Sequence, residues 1–257
     1  MKYDRLTKIR QLFIEKRTLS CGELCSTFGI SVETVRRDLA VLEKEGVIRR
    51  VYGGGVLQDN AVAPDPILPW AVRIIRNSPE KNSIARKLVD QIEDGMTIVL
   101  DSGTTMLETA KLLFLRHDLT IITNDIHIAS ELSSHTDHTV FFAGGPLKKE
   151  ELITVGFLAT AFLDNFSRID AALLTADGFK KGLWDFNIDM ASLKAAMIRK
   201  ADKVYAGLDH TKFSVDGLYK VCGQKDLDLL VTGEQAPKEA LESLRNDGVS
   251  VELVPCE

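Results

Sequence analysis

The stretch that most constrains this chain runs from Ser20 to Leu57: a glycine break, a second capped helix and a basic, glycine-rich hairpin follow one another without a gap. Just upstream, Leu6, Ile9, Leu12 and Phe13 recur at the spacing of one helix face. Ser20 can cap a short helix that turns Leu24 and Phe28 inward, and Gly29, free to take positive φ, ends it. Ser31 caps a third helix in SVETVRRDLAVLEKEG, whose apolar stripe is Val32, Val35, Leu39 and Leu42. Glu33, Thr34, Arg36 and Arg37 point elsewhere, and Gly46 closes the helix. Val47 to Tyr52 reads as a short strand and Gly53-Gly54-Gly55 as a turn into Val56-Leu57. Two short helices about a glycine turn, the second basic on its outer face, form a helix-turn-helix whose second helix would enter the major groove of duplex DNA. The hairpin with Arg49 and Arg50 at its base would be a wing able to reach phosphates or the minor groove.

The distribution of charge agrees with that reading. Residues 1–58 hold 11 Lys+Arg against 7 Asp+Glu, whereas the remaining residues hold 21 against 30, so a basic head precedes an acidic body in a chain of net charge −5. A length of 257 residues allows a small domain plus a medium one. The opening MKYDRLTKIRQLF has no uninterrupted apolar core and no small-residue cleavage site, and no apolar run nears the ~20 residues of a membrane span. A soluble, cytoplasmic protein is expected. Cys21, Cys25, Cys222 and Cys256 are too few and scattered for a disulfide framework, and buried reduced thiols are expected.

Residues 58–69 hold three of the seven prolines and little periodicity, which sets domain limits at 1–57 for the head, 58–70 for a linker and 71–257 for the body. In the body, helical segments (Ser78 to Ile92, Met106 to Leu115, Ile126 to Leu132, Met190 to Lys200) alternate with short apolar strands. The strands are Met96 to Leu100, Leu119 to Ile122, Thr139 to Phe142, Ala171 to Leu174 and Val204 to Leu208. This is the pattern of an α/β fold with a largely parallel sheet, in which ligands bind beyond the C-terminal strand ends. Polar loops occur there: Asp101-Ser102-Gly103-Thr104-Thr105, Thr123-Asn124-Asp125, Gly144-Gly145 and Asp177-Gly178, with Lys194 on a later helix. Hydroxyls, amides, a helix N-terminus and an ammonium together suit a phosphorylated or polyhydroxy ligand.

The run LSCGELCSTFGISVETVRRDLAVLEKEGVIRRVYGGGVL resembles the DNA-binding signature of DeoR-type bacterial regulators, in which a Ser/Thr-x-x-Thr-x-Arg-Arg-Asp-Leu helix leads to a basic strand ending in Gly-Gly. The resemblance implies that Ser31, Glu33, Thr34, Arg36 and Arg37 face the groove, that Arg49, Arg50 and Tyr52 make wing contacts, and that Ser20 joins the DNA-binding set. The body resembles the sensor domain of the same family, through LDSGTT, IITND, FAGG with Gly156 twelve positions on, ADGF, LKAAMI and LDHTKF. It implies a fold similar to ribose-phosphate isomerases and CoA transferases, and a sugar phosphate near Ser102 to Thr105 and Lys194. Two departures bear on effector identity: Met190-Ala191-Ser192 where the family carries a glutamate, and Asp209-His210-Thr211-Lys212 where it carries Asp-Ser-Ser-Lys.

The function expected is a DNA-binding transcriptional repressor of a carbohydrate-utilisation operon, a homo-oligomer released from its operator by a phosphorylated sugar. The alternative is a sugar-phosphate isomerase-like enzyme with an accessory DNA-binding segment, Asp101, Asp125 and Asp177 being its candidate bases. No nucleophile elbow, Walker loop, zinc-ligand spacing or dinucleotide fingerprint occurs. Neither catalysis, nor a cofactor, nor a metal site is therefore expected.

Overall fold

The computed structural model describes residues 2–44, 46–57 and 70–256. They form two compact units, Met1–Ser78 and Pro79–Glu257. The linker expected at 58–70 lies outside the described residues apart from Trp70.

In the first unit α1 (Lys2–Lys16), β1 (Thr18–Ser20), α2 (Cys21–Phe28), α3 (Val32–Lys44), β2 (Ile48–Val51) and β3 (Gly54–Leu57) are followed by the short α4 (Trp70–Arg73). Leu6, Ile9 and Phe13 of α1 pack with Leu24 of α2 and with Val35, Leu39 and Leu42 of α3 in one buried core. Val32, expected in that core, is 46% exposed at the first turn of α3. The stripe is completed instead by Asp38, buried and ion-paired with Arg5 at 2.8 Å, which fastens α3 to α1.

The three strands pair antiparallel in the order β1-β3-β2. Gly54 and Gly55 therefore lie within the central strand rather than in the turn, which is made at Tyr52-Gly53 with Gly53 at φ 81°. Their lack of a side chain has a steric cause. A β-carbon at Gly54 would collide with the carbonyl of Leu19 on β1, and one at Gly55 would press on Ile48 at 2.9 Å and on the Phe13 ring at 3.0 Å.

The second unit begins with α5 (Ser78–Asp90), β4 (Thr97–Leu100), α6 (Thr104–Leu112), β5 (Thr120–Thr123), α7 (Ile126–His135) and β6 (Thr139–Phe142). A small hairpin of β7 (Leu147–Lys148) and β8 (Ile153–Thr154) leads to α8 (Phe157–Phe162) and β9 (Ile169–Leu174). Then come β10 (Gly178–Phe179), β11 (Gly182–Asp185), α9 (Ile188–Lys200), β12 (Ala201–Leu208), β13 (Tyr219–Gly223), β14 (Leu229–Gly233), α10 (Lys238–Asn246) and β15 (Ser250–Val254). Seven strands form a parallel sheet in the order β15-β14-β12-β9-β4-β5-β6.

The strands alternate their side chains between two helix layers. Val204, Ala206 and Leu208 of β12 join Leu193, Ala196 and Met197 of α9 in the larger core cluster. On the opposite face Gly207 lies so close to Ile84 and Leu88 of α5 that a β-carbon there would meet each at 2.8 Å.

The order of the strands locates the ligand crevice. The chain winds outward from β4 through β5 to β6, then restarts at β9 and winds the other way through β12, β14 and β15. The reversal falls between β4 and β9, and in such sheets the loops beyond that point part to form the crevice. Among the described residues no helix is long and apolar enough to cross a membrane.

Candidate nucleic-acid interface and ligand pocket

The helix-turn-helix is set by its caps. Ser20 Oγ accepts the Glu23 N–H at 3.1 Å while the Glu23 carboxylate accepts the Ser20 N–H at 2.8 Å, a reciprocal cap that fixes the entry to α2. Gly29 at φ 62° ends α2, donating its N–H to Cys25 O at 2.9 Å. Ser31 Oγ accepts the Thr34 N–H at 3.3 Å and lies 3.0 Å from Thr34 Oγ1, so both hydroxyls are engaged at the start of α3.

Downstream of these caps Glu33, Arg36 and Arg37 are exposed, with Thr34 half-buried. Arg37 is held by Glu33 at 2.7 Å, both side chains at least three-quarters exposed, an ion pair too wet to add much stability but able to pre-set the guanidinium. Arg49 and Arg50 are exposed on β2, and Tyr52 stands fully in solvent at the tip of the hairpin. The residues read from sequence as groove and wing contacts thus lie on α3 and its hairpin. Ser20 sits apart, with its hydroxyl engaged in capping α2.

In the second unit the loop after β4 ties the crevice together. Asp101 is fully buried; its Oδ2 accepts the Thr175 N–H at 3.1 Å and lies 3.3 Å from Lys194 Nζ. Lys194 Nζ donates to Thr175 O at 2.9 Å and contacts both oxygens of Asp185, at 3.1 and 3.0 Å. Asp185 in turn accepts the Asp177 N–H at 3.2 Å, and Asp177 accepts the Phe186 N–H at 3.0 Å.

Electrostatics hold this cluster in balance. Burial raises the Asp101 carboxyl to about 6 against the opposing pull of Lys194. The Asp185 carboxyl is raised for the same reason. Burial would lower Lys194, but Asp101, Asp185 and Asp177 together drive it above the ordinary lysine value. Lys194 is accordingly a buried cation with its own carboxylates, its side chain 5% exposed, and presents no free ammonium to a ligand.

The same loop after β4 leads into the start of α6. α6 opens after Gly103, whose φ of 117° only glycine adopts readily, and among the described residues no N-cap side chain bonds to its first N–H groups. Ser102, Thr104 and Thr105 are buried around it. Gly103 N–H donates to Asp125 Oδ2 at 3.2 Å, and Asp125 Oδ1 also accepts the N–H groups of His127 and Ile128, so this carboxylate organises the loop and caps α7. Thr123 Oγ1 accepts the Asp125 N–H at 3.2 Å. Asn124 donates to Thr154 O at 2.8 Å while its buried Oδ1 has no donor among the described residues.

The structure thus brings Asp101 to Thr105, Thr123 to Asp125, Asp177 and Lys194 together around the reversal of the sheet. Gly178 continues from Asp177 into β10, its Cα packed against Val215 too tightly for a side chain. Gly144 and Gly145 are exposed beyond β6, two strands out, and join the others through Thr154, whose hydroxyl bonds to the Ala143 carbonyl. Asp185 went unread in the sequence. No strand-end pattern marks it, because β11 pairs antiparallel outside the alternation of parallel strands and helices. Of the four cysteines only Cys222 is buried; Cys21, Cys25 and Cys256 are half-buried and, like it, free.

Residues 5–61 match the DeoR-like helix-turn-helix domain and residues 76–234 the DeoR C terminal sensor domain. The chain is 31% identical to the HTH-type transcriptional regulator GolR of Listeria innocua, over 98% of both chains. It is 29% identical to the glycerol-3-phosphate regulon repressor of Escherichia coli K12, over 97% of this chain and 98% of that one. Ribose 5-phosphate isomerase A from Methanocaldococcus jannaschii superposes on 53% of the chain, and 55% of its own length, with a TM-score of 0.40 at 16% identity.

Proposed function

Since this chain belongs to the DeoR family of transcriptional regulators, we propose that it represses a carbohydrate-utilisation operon and leaves its operator when a phosphorylated sugar enters the second unit. The single observation that carries the effector reading is the uncapped N-terminus of α6 at the reversal of the sheet, with Gly103 and three buried hydroxylated residues around it. Phosphate there would accept backbone N–H groups at the positive end of the helix. The hydroxyls of the sugar would meet the chemistry of Asn124, whose side-chain oxygen still wants a donor, and of the Asp177 and Gly144-Gly145 loops. Lys194 acts here as an organiser, holding Asp101, Thr175 and Asp185 in register. The Escherichia coli relative is named for a glycerol-3-phosphate regulon, and glycerol 3-phosphate is a compound of the same chemical class.

On the DNA side, Arg36 and Arg37 read the groove from α3, and Arg49, Arg50 and Tyr52 brace the hairpin on the backbone. A homo-oligomer would present two copies of α3 to two half-sites. An isomerase reading has one point in its favour, the Asp101 carboxyl raised to about 6 beside a lysine. Against it, Asp101 is wholly buried and bonded to Lys194 and Thr175, so it has no path to a substrate carbon.

The test is fluorescence anisotropy of a duplex from upstream of the gene itself, titrated with full-length protein in the presence of glycerol 3-phosphate, ribose 5-phosphate, fructose 6-phosphate, N-acetylglucosamine 6-phosphate or their unphosphorylated parents. One phosphorylated compound should weaken binding 5- to 150-fold, as a coupling of about 1–3 kcal/mol requires, while its parent does nothing. An operator affinity indifferent to the whole panel, or turnover of one of these sugars, would refute the reading.

A further inference from the structure

At the C-terminal ends of β12, β14 and β15, three side chains from distant parts of the chain converge. Glu80 stands in the first turns of α5, His210 in the turn after β12, and Cys256 just beyond β15. Donor atoms of the three lie within 4.8 Å of one another. His210 Nδ1 is 2.7 Å from Glu80 Oε2 and 3.9 Å from Cys256 Sγ. We propose that Glu80, His210 and Cys256 bind a single divalent transition-metal ion of the zinc type, with a fourth position left to water.

The donor set is of the right chemistry. Imidazole, thiolate and carboxylate together suit a borderline-soft ion such as zinc and poorly suit magnesium or calcium, which want oxygen alone. Zinc–ligand distances of about 2.0–2.3 Å at a tetrahedral angle place neighbouring donors about 3.4–3.6 Å apart. The present spacings bracket that range, and small side-chain rotations would meet it.

The surroundings are built for three ligands rather than for a histidine–glutamate pair alone. Glu80 is fully buried, and its second oxygen, Oε1, accepts the backbone N–H of His210 at 2.7 Å, which fixes the carboxylate and leaves Oε2 toward the cluster. Backbone N–H groups of Gln235 and Glu234 approach the Cys256 sulfur, although burial holds the thiol above its ordinary value. Gly233, the last residue of β14, is the floor: a β-carbon there would strike both Glu80 Oε1 and Cys256 Sγ, so only glycine lets the carboxylate and the sulfur converge. The Glu80–His210 pair needs that floor as well, but it does not need the sulfur, which the same glycine admits beside it. Sequence spacing carries no trace of the site, because His210 is 130 residues from Glu80 and 46 from Cys256.

An ion held there would pin the start of the second unit and the residues after β15 to the turn after β12. The probe is cobalt(II) alone, added to full-length protein stripped with chelator and kept reduced. One equivalent should produce tetrahedral d–d bands and a thiolate-to-cobalt charge-transfer band, both discharged by zinc. Cys256→Ala should abolish the charge-transfer band, and His210→Gln should weaken cobalt binding at least tenfold. Should Cys256→Ala fail to fold, the wild-type protein still decides the matter: zinc should slow alkylation of Cys256 by iodoacetamide at least tenfold, read by peptide mass mapping. No charge-transfer band in the wild type, a band that survives in folded Cys256→Ala, or alkylation of Cys256 indifferent to zinc would each overturn the proposal.

Discussion

Asp101 and Lys194 illustrate how far a single buried charge constrains this fold. The folded state lifts the Asp101 carboxyl from the ordinary 3.8 to about 6, so between those values the folded chain keeps a proton that the unfolded chain has released. Its contribution to stability is therefore fully present below about pH 4 and is lost as the pH rises to about 6, a change of about 3 kcal/mol at roughly 1.4 kcal/mol per pH unit. Asp101→Asn removes that titration, so its stability relative to the wild type, from urea midpoints, should improve by about 3 kcal/mol between pH 4 and pH 7. A gap that stays flat would show that the carboxyl is not raised. Lys194→Ala goes the other way. It leaves Asp101 and Asp185 facing each other without a cation, a loss of about 3–5 kcal/mol in the second unit, visible as an earlier thermal transition. At this scale the sequence was legible in part. The loop chemistry of Asp101 to Thr105 and the presence of Lys194 could be read from strand ends, but not that the lysine is neutralised in place, because Asp185 comes from an antiparallel hairpin that the βα rhythm does not announce.

Elements were legible where one period dominates and obscure where a neighbour decides. The four-residue strands and their helices stand out because parallel strands buried on both faces are uninterrupted apolar runs. On α3 the period is right, but the buried position after Val35 is the charged Asp38, acceptable only because Arg5 of another helix answers it. β1 has no signal of its own: three residues between two helices become a strand because β3 lies beside them. The glycine triplet looked like a turn, yet two of its members are strand residues chosen for the closeness of β1 and α1. Gly54→Ala should therefore break the pairing of β1 with β3 and lower the stability of the first unit by about 1–3 kcal/mol, read by chemical denaturation. The same change at Gly53, which has open space around it, should cost less, as the strain of φ 81° is all it meets. Equal losses at the two positions would contradict the strand assignment.

For the whole molecule the charge division is the simplest guide: a basic head on an acidic body offers only the head to a polyanion. Everything proposed about regulation presumes that the exposed arginines of α3 meet duplex DNA. The most direct test is the affinity of the full-length protein for a duplex from upstream of its own gene, measured across salt concentrations for the wild type, Arg36→Ala and Arg37→Ala. The account predicts salt-sensitive binding by the wild type and weaker binding by both variants, all three folding alike. A variant that has lost a base contact should bind about 1–3 kcal/mol more weakly with relaxed sequence preference, and one that has lost a phosphate contact should have a salt slope shallower by about 1. Wild-type affinity in both variants, or no salt-dependent binding to any duplex, would contradict it.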